Sequence, residues 1–338
     1  MKKIVKILTV ALCAVLLINL SSGRVSAAEK NKTVRLGGQP FGVRFYNDGL
    51  IVVELEDFFD GSRFVCPAAD GGMKVNDIIK EVNRSPVKTN EDLKNAAESC
   101  GGKPIAFVIE RNGERKDITV TPVKNTAGVY LLGAWIRDSC AGIGTISFYD
   151  EEDNYFAALG HGICDNDTGA LLPLGSAEIV RANISSVTKS VDGKAGSLNG
   201  YFSAETVGRL TKNSPLGIFG EPEDGCIADS PTIEIADFDE IKKGEALVYT
   251  TIDGTDEGCY TAEITKICSR DKNSNESFVI KITDNELLES CGGIVQGMSG
   301  SPIVQNGKLV GAVTHVFVNN TAEGYGVAAQ YMVSNYER

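Results

Sequence analysis

The hexapeptide Gly297-Met298-Ser299-Gly300-Ser301-Pro302 is the segment best suited to chemistry. A serine flanked by glycines can occupy a tight turn that exposes its hydroxyl and leaves neighbouring backbone N–H groups aimed at one point. Such donors stabilise the oxyanion of acyl transfer, each contributing roughly 10²–10³ in rate. Ser299 is thus a candidate nucleophile, with the amides of Gly297 and Ser299 as oxyanion donors. The bland alternative is a Gly-Ser turn between strands. A serine needs a base, and the chain holds only two histidines, His161 and His315. His161 stands between Gly160 and Gly162, just past a strand, turn and strand pattern: residues 142–149, the acidic turn Asp150 to Asn154, and residues 155–160. An orienting carboxylate would hold the imidazole tautomer and stabilise the imidazolium. Asp192, Asp229, Asp237, Asp253 and Asp284 all fall between base and nucleophile. Cys164 lies three residues after His161, but no further ligand cluster accompanies it, so neither a metal nor a cofactor is expected.

These residues need a frame. At 338 residues, about two domains are expected. Residues 49–55 and 77–83 read as strands, the first after the turn Asn47-Asp48-Gly49. A helix opens near Asn90 with Asn90 or Thr89 as cap, carries Ala96 and Ala97 on its apolar face, and stops at Gly101-Gly102. Residues 105–110 and 116–123 form a hairpin around Asn112-Gly113. From about Thr126 onward the chain is short strands and turns, the pattern of an all-β sandwich or barrel. After Ser299, Pro302 to Gln305, the turn Asn306-Gly307-Lys308 and Leu309 to His315 form a further hairpin.

The first region resembles a PDZ domain, carried by "GG-x-PFGV", "GLIVV", "GGMKVNDIIKEVNRSPVKTNEDL" and "IAFVIERNGERKDITVTPV". Gly72-Met73-Lys74-Val75-Asn76-Asp77-Ile78-Ile79 matches the family's conserved stretch, with Asn76 where glycine is usual. The resemblance implies an extended peptide, a C-terminus or an internal segment, added to a sheet edge. Residues 39–43 are the candidate binding loop; Pro40 cannot donate, so donation falls to Phe41, Gly42 and Val43. The serine hexapeptide with its hairpin resembles the GDSGGP signature of chymotrypsin-like proteases, with Met298 for Asp and Ser301 for the last Gly. This implies two barrels, with His161 in the first and Ser299 in the second. It also places His315 on the strand that lines the substrate pocket, to recognise Gln or Glu or to be a core histidine bonded to backbone. The expected class is mainly β: a PDZ domain (α+β) over 34–124, then a chymotrypsin-like double β-barrel over 126–338.

Leu159-Gly160-His161-Gly162-Ile163, Asp165-Asn166-Asp167-Thr168-Gly169 and the run from Thr283-Asp284 through Ser299 to Asn319 resemble the SpoIVB sporulation peptidases. That resemblance carries the orienting acid onto Asp284. It further implies export from the forespore toward the intermembrane space, self-cleavage, and cleavage of a membrane-associated regulator that restrains processing of a late sigma factor. Export has its own signal. Lys2, Lys3 and Lys6 precede an uncharged apolar run from Ile7 to Leu20, and Ser26, Ala27 and Ala28 follow. Residues 1–28 are therefore a cleaved signal peptide or a retained N-terminal anchor. Eight cysteines remain beyond Cys13, enough for disulfides or for buried thiols. A formal charge of −12, from 33 basic and 45 acidic residues, disfavours nucleic-acid binding. Two other functions compete with a PDZ-regulated endopeptidase: a non-catalytic exported peptide-binding scaffold, and an HtrA-like quality-control protease, in which the PDZ domain follows the protease.

Overall fold

The structure, a computed structural model, describes residues 32–191, 193–227 and 229–337. The export segment expected at residues 1–28 lies outside the described residues. Two barrels dominate. Pro40–Leu55, Leu174–Thr188, Ser197–Ser214, Gly217–Pro222, Tyr155–Ala158 and Ala134–Asp150 pair in that order, each antiparallel to the next, and the last returns to the first. Gly244–Thr250, Gly258–Ile267, Phe278–Ile282, Asn320–Ala328, Lys308–Phe317 and Pro302–Gln305 close a second ring in the same manner. Closure leaves these strands no free edge. Phe41, Val43, Phe45, Ile146, Ile179 and Ile218 fill the first barrel; Val248, Ile264, Phe278, Ile303, Val313 and Val327 fill the second.

The PDZ domain has its own core of Leu50, Val52, Ile79, Ile105, Phe107 and Ile109, joined by Leu93 and Ala97 from the helix Asn90–Ser99. Local signals account for its elements. Thr89 Oγ1 accepts from Asp92 N while the Asp92 side chain returns to Thr89 N, a reciprocal cap. Asn112 and Gly113 both take positive φ, 54° and 77°, as a two-residue hairpin turn requires. Asn76, standing where glycine is usual, has φ of 71°, a left-handed conformation that asparagine tolerates better than most residues.

The expected boundaries need correction. Residues 33–36 pair with Ala134–Asp150 and with Thr232–Ile235, a strand that itself pairs with Lys308–Phe317 of the second barrel, and residues 40–47 are barrel strand, flanked by Ala134–Asp150 and Leu174–Thr188. The PDZ domain does not precede the barrels; it is inserted into the first of them. Its sheet is continuous with that barrel through the end of Pro40–Leu55 and the start of Ala134–Asp150, where residues 134–137 pair with residues 51–55. Ala134–Asp150 is therefore a spanning strand common to both.

The same pairing overturns the expected peptide-binding loop. Phe41, Gly42 and Val43 are paired on both sides, to Gly144, Ile143 and Gly142 and to Arg181, Val180 and Ile179. Phe41 and Val43 are buried. Gly42 is glycine because the Phe202 ring lies against it: an added Cβ would stand 2.4 Å from that ring. No edge is left there for a peptide. The cysteines among the described residues are free thiols, and among those residues no helix is long and apolar enough to cross a membrane.

Candidate active site

His161 follows Tyr155–Ala158 of the first barrel, and Ser299 precedes Pro302–Gln305 of the second. Both line one open cavity of about 660 Å³, together with Gly297, Thr314 and His315. Among the described residues, no group of three or more His, Cys, Asp or Glu is placed to hold a metal ion.

The Ser299 loop is shaped by backbone. Gly300 N donates to Val313 O (2.8 Å), and Ser301 N to Met298 O (2.9 Å). Gly300 adopts φ of 95° and passes so near the first barrel that a Cβ would sit 1.9 Å from Thr145 O. Only glycine fits. Thr145, on the spanning strand, binds this loop twice: its N donates to Ser299 O (2.9 Å) and its Oγ1 to Gly297 O (2.8 Å). Met298, where the chymotrypsin-like signature has Asp, is fully buried and its sulfur accepts from Val295 N at 3.4 Å. The amides of Gly297 and Ser299 donate to no acceptor among the described residues, which leaves two N–H groups of the serine turn uncommitted. Ser299 Oγ donates to Thr314 O at 2.8 Å.

The His161 loop is shaped by side chains. Asn213, at the end of Ser197–Ser214, accepts from Ile163 N (2.8 Å) and donates to Ile163 O and Leu172 O (2.9 Å each). His161 Nδ1 faces Gly162 O at 2.8 Å, so Nδ1 carries the proton and Nε2 keeps its lone pair. Burial pushes the His161 imidazole down to about 4; the Gly162 carbonyl pulls the other way, and neighbouring His315 adds to the lowering. At neutral pH this imidazole is therefore an unprotonated acceptor. The His315 ring lies 4.8 Å from it, centroid to centroid. Burial lowers His315 as well, against the opposing charge of Glu276.

Asp284 does not orient His161. It is the N-cap of the helix Asn285–Cys291, accepting from Leu287 N at Oδ1 (3.2 Å) and from Thr261 N at Oδ2 (3.2 Å). Partial burial works to raise this carboxyl, but the amides of Leu287, Thr261 and Glu286 outweigh it and hold it below the usual range. Its geometry is that of a helix cap. Asp229, Asp237 and Asp253 do not line the cavity either; Asp192 lies outside the described residues. A backbone carbonyl holds the tautomer instead. Sequence reasoning missed Thr145, Thr314 and Asn213, because each acts through partners at least 15 residues away.

The pattern of the SpoIVB peptidase S55 family matches residues 128–333. A probable protease eep of Enterococcus faecalis is 37% identical over 67 residues, 20% of this chain and 16% of that protein's length. Among solved structures, the PDZ domain of an SdrC-like protein from Listeria monocytogenes is 18% identical, covering 26% of this chain and 87% of that one, with a TM-score of 0.22. The HtrA-type protease AlgW with a tripeptide is 12% identical, covering 58% of this chain and 55% of that one, with a TM-score of 0.36. The family match takes in more than half of the sequence, His161 and Ser299 included, and the chain belongs to the SpoIVB peptidase S55 family of serine peptidases.

Proposed function

We propose that this peptidase acts after export, in sporulation signalling, cutting itself and a membrane-associated regulator that restrains processing of a late sigma factor. The forespore–mother cell intermembrane space is the compartment this reading requires. Family membership and the basic-then-apolar N-terminus support it. The observation that carries the chemistry is the meeting of Ser299, from the second barrel, and His161, from the first, in one open cavity.

In this reading Ser299 Oγ turns from Thr314 O toward the base and attacks the scissile carbonyl, while His161 Nε2 takes its proton. The new C–O bond puts negative charge on the former carbonyl oxygen, which the free amides of Gly297 and Ser299 receive. Cleavage of the C–N bond returns the proton to the leaving amine, and water releases the acyl group by the reverse proton path. His315 stands beside the base and reads the substrate residue ahead of the scissile bond. The PDZ domain receives a peptide segment at a surface other than residues 41–43.

A fluorophosphonate probe tests the assignment. The wild-type chain is labelled, Ser299→Ala is not, and His161→Ala is labelled at least about 100-fold more slowly, within the range for loss of a general base. Absence of labelling in the folded wild-type chain would return the molecule to the scaffold reading. Mass spectrometry of the wild type beside Ser299→Ala reads self-cleavage.

A further inference from the structure

Arg137 lies on the spanning strand, opposite Ile51 of the PDZ sheet, just before a register break at Asp138. Its guanidinium reaches away from that sheet to the loop after His161. Nε stands 2.9 Å from Asp165 Oδ2, and Nη2 donates to Asp167 Oδ2. The Asp165 side chain has no solvent exposure. Its Oδ1 accepts from Asp167 N (3.0 Å), Thr168 N (2.9 Å) and Thr168 Oγ1 (3.1 Å), which closes the loop on itself. Among the described residues its Oδ2 accepts no hydrogen bond, and the charge on that oxygen is met by Arg137. A carboxylate shut away from water is stable only against such a partner. Asp138, next along the strand, turns to the PDZ domain and accepts from Asn90 N, the first amide of the helix Asn90–Ser99, at 2.9 Å. Two consecutive side chains thus hold the PDZ helix and the base loop.

We propose that Arg137 is a positioning residue for His161: through Asp165 it sets where the imidazole stands, and it makes that placement depend on the seating of the PDZ domain. The inference rests on His161 being the base. Its test reads the ring directly, so failure of one is distinguishable from failure of the other.

With only two imidazoles, proton NMR follows both, and a His315→Gln sample assigns them. In Arg137→Gln the His161 midpoint rises from about 4 toward the ordinary histidine value as the loop opens to water. The maximal rate of Ser299 phosphonylation falls about 10- to 100-fold with probe affinity unchanged, as expected when a base is displaced by about an ångström. Arg137→Lys, which keeps the charge, recovers most of the rate. Should Arg137→Gln not fold, Asp165→Asn carries the same test, because its remaining oxygen still closes the loop while the ion pair is lost. A folded Arg137→Gln or Asp165→Asn with the wild-type His161 titration overturns the proposal, whether or not its rate has dropped.

Discussion

The two loops that bring chemistry to the cavity are held by different means. The Ser299 loop is fixed by main chain: turn bonds from Gly300 and Ser301, and a glycine pressed against Thr145 of the other barrel. The His161 loop is fixed by side chains from elsewhere, Asn213 from one strand and Arg137 from another. Backbone restraint tolerates little, since main-chain positions cannot be repacked. Side-chain restraint can be weakened in steps, and so can be set by a neighbouring domain. The Ser299 loop is the constant element here and the His161 loop is the adjustable one.

That contrast is most severely tried at Gly300. Alanine there brings a Cβ to 1.9 Å from Thr145 O in a backbone with positive φ; we expect a loss of about 3 kcal/mol or more in stability and at least about 100-fold in labelling rate. Thermal unfolding and probe kinetics measure both. Unchanged behaviour would mean that the loop is softer than described. Asn213→Ala comes next. Three hydrogen bonds vanish; Ile163 N and Leu172 O lose their partner while Ile163 O keeps the amide of Leu172, which costs about 1–3 kcal/mol. Labelling slows roughly 10-fold in a chain that still folds, whereas full loss of structure would show that the base loop is as intolerant as the other.

A gentler probe is pH. The His161 imidazole is held down to about 4, so it stays neutral, and competent as a base, well below the ordinary histidine range. The labelling rate is therefore flat from pH 8 to about 6 and falls only as the pH nears 4. Stability follows the same sign: below about 6.5 the unfolded chain binds a proton that the folded chain refuses, so the fold weakens as pH drops toward 4. A rate midpoint near 6.5 would show that the ring is solvated. The smallest effect belongs to Asp284→Asn, which keeps the cap acceptor. Labelling within about twofold of wild type marks a cap, while a loss approaching 10⁴ marks a triad acid.

What the sequence revealed follows the same division. Elements with local chemistry were readable: the Thr89 cap, the Asn112-Gly113 turn and the serine turn itself all rest on neighbours within a few positions. The scarcity of histidines narrowed the candidates for a base to His161 and His315. Residues 39–43 read as a binding loop because nothing local names the sheet that Phe41, Val43 and Phe45 join, and the domain boundary was misplaced for that reason. Asp284 offered a carboxylate at a suggestive distance along the chain, yet carboxylates cap helices as readily as they orient imidazoles. Arg137 and Asp165 share no local pattern. Only closure of the barrel brings them together.

Tyr46 and Ser139 lie directly opposite each other on antiparallel strands. The chain thus leaves the first barrel and re-enters it at almost one point, and everything between is, topologically, an oversized hairpin tip. Such a tip can be excised and the cut ends sutured by a short turn without shifting the register of either strand. The first barrel would close over the scar, keeping Thr145 and Asn213 and facing an unchanged Ser299 on the second, but stripped of Arg137. A minimal catalytic body of this kind would sever the base from any domain-borne control.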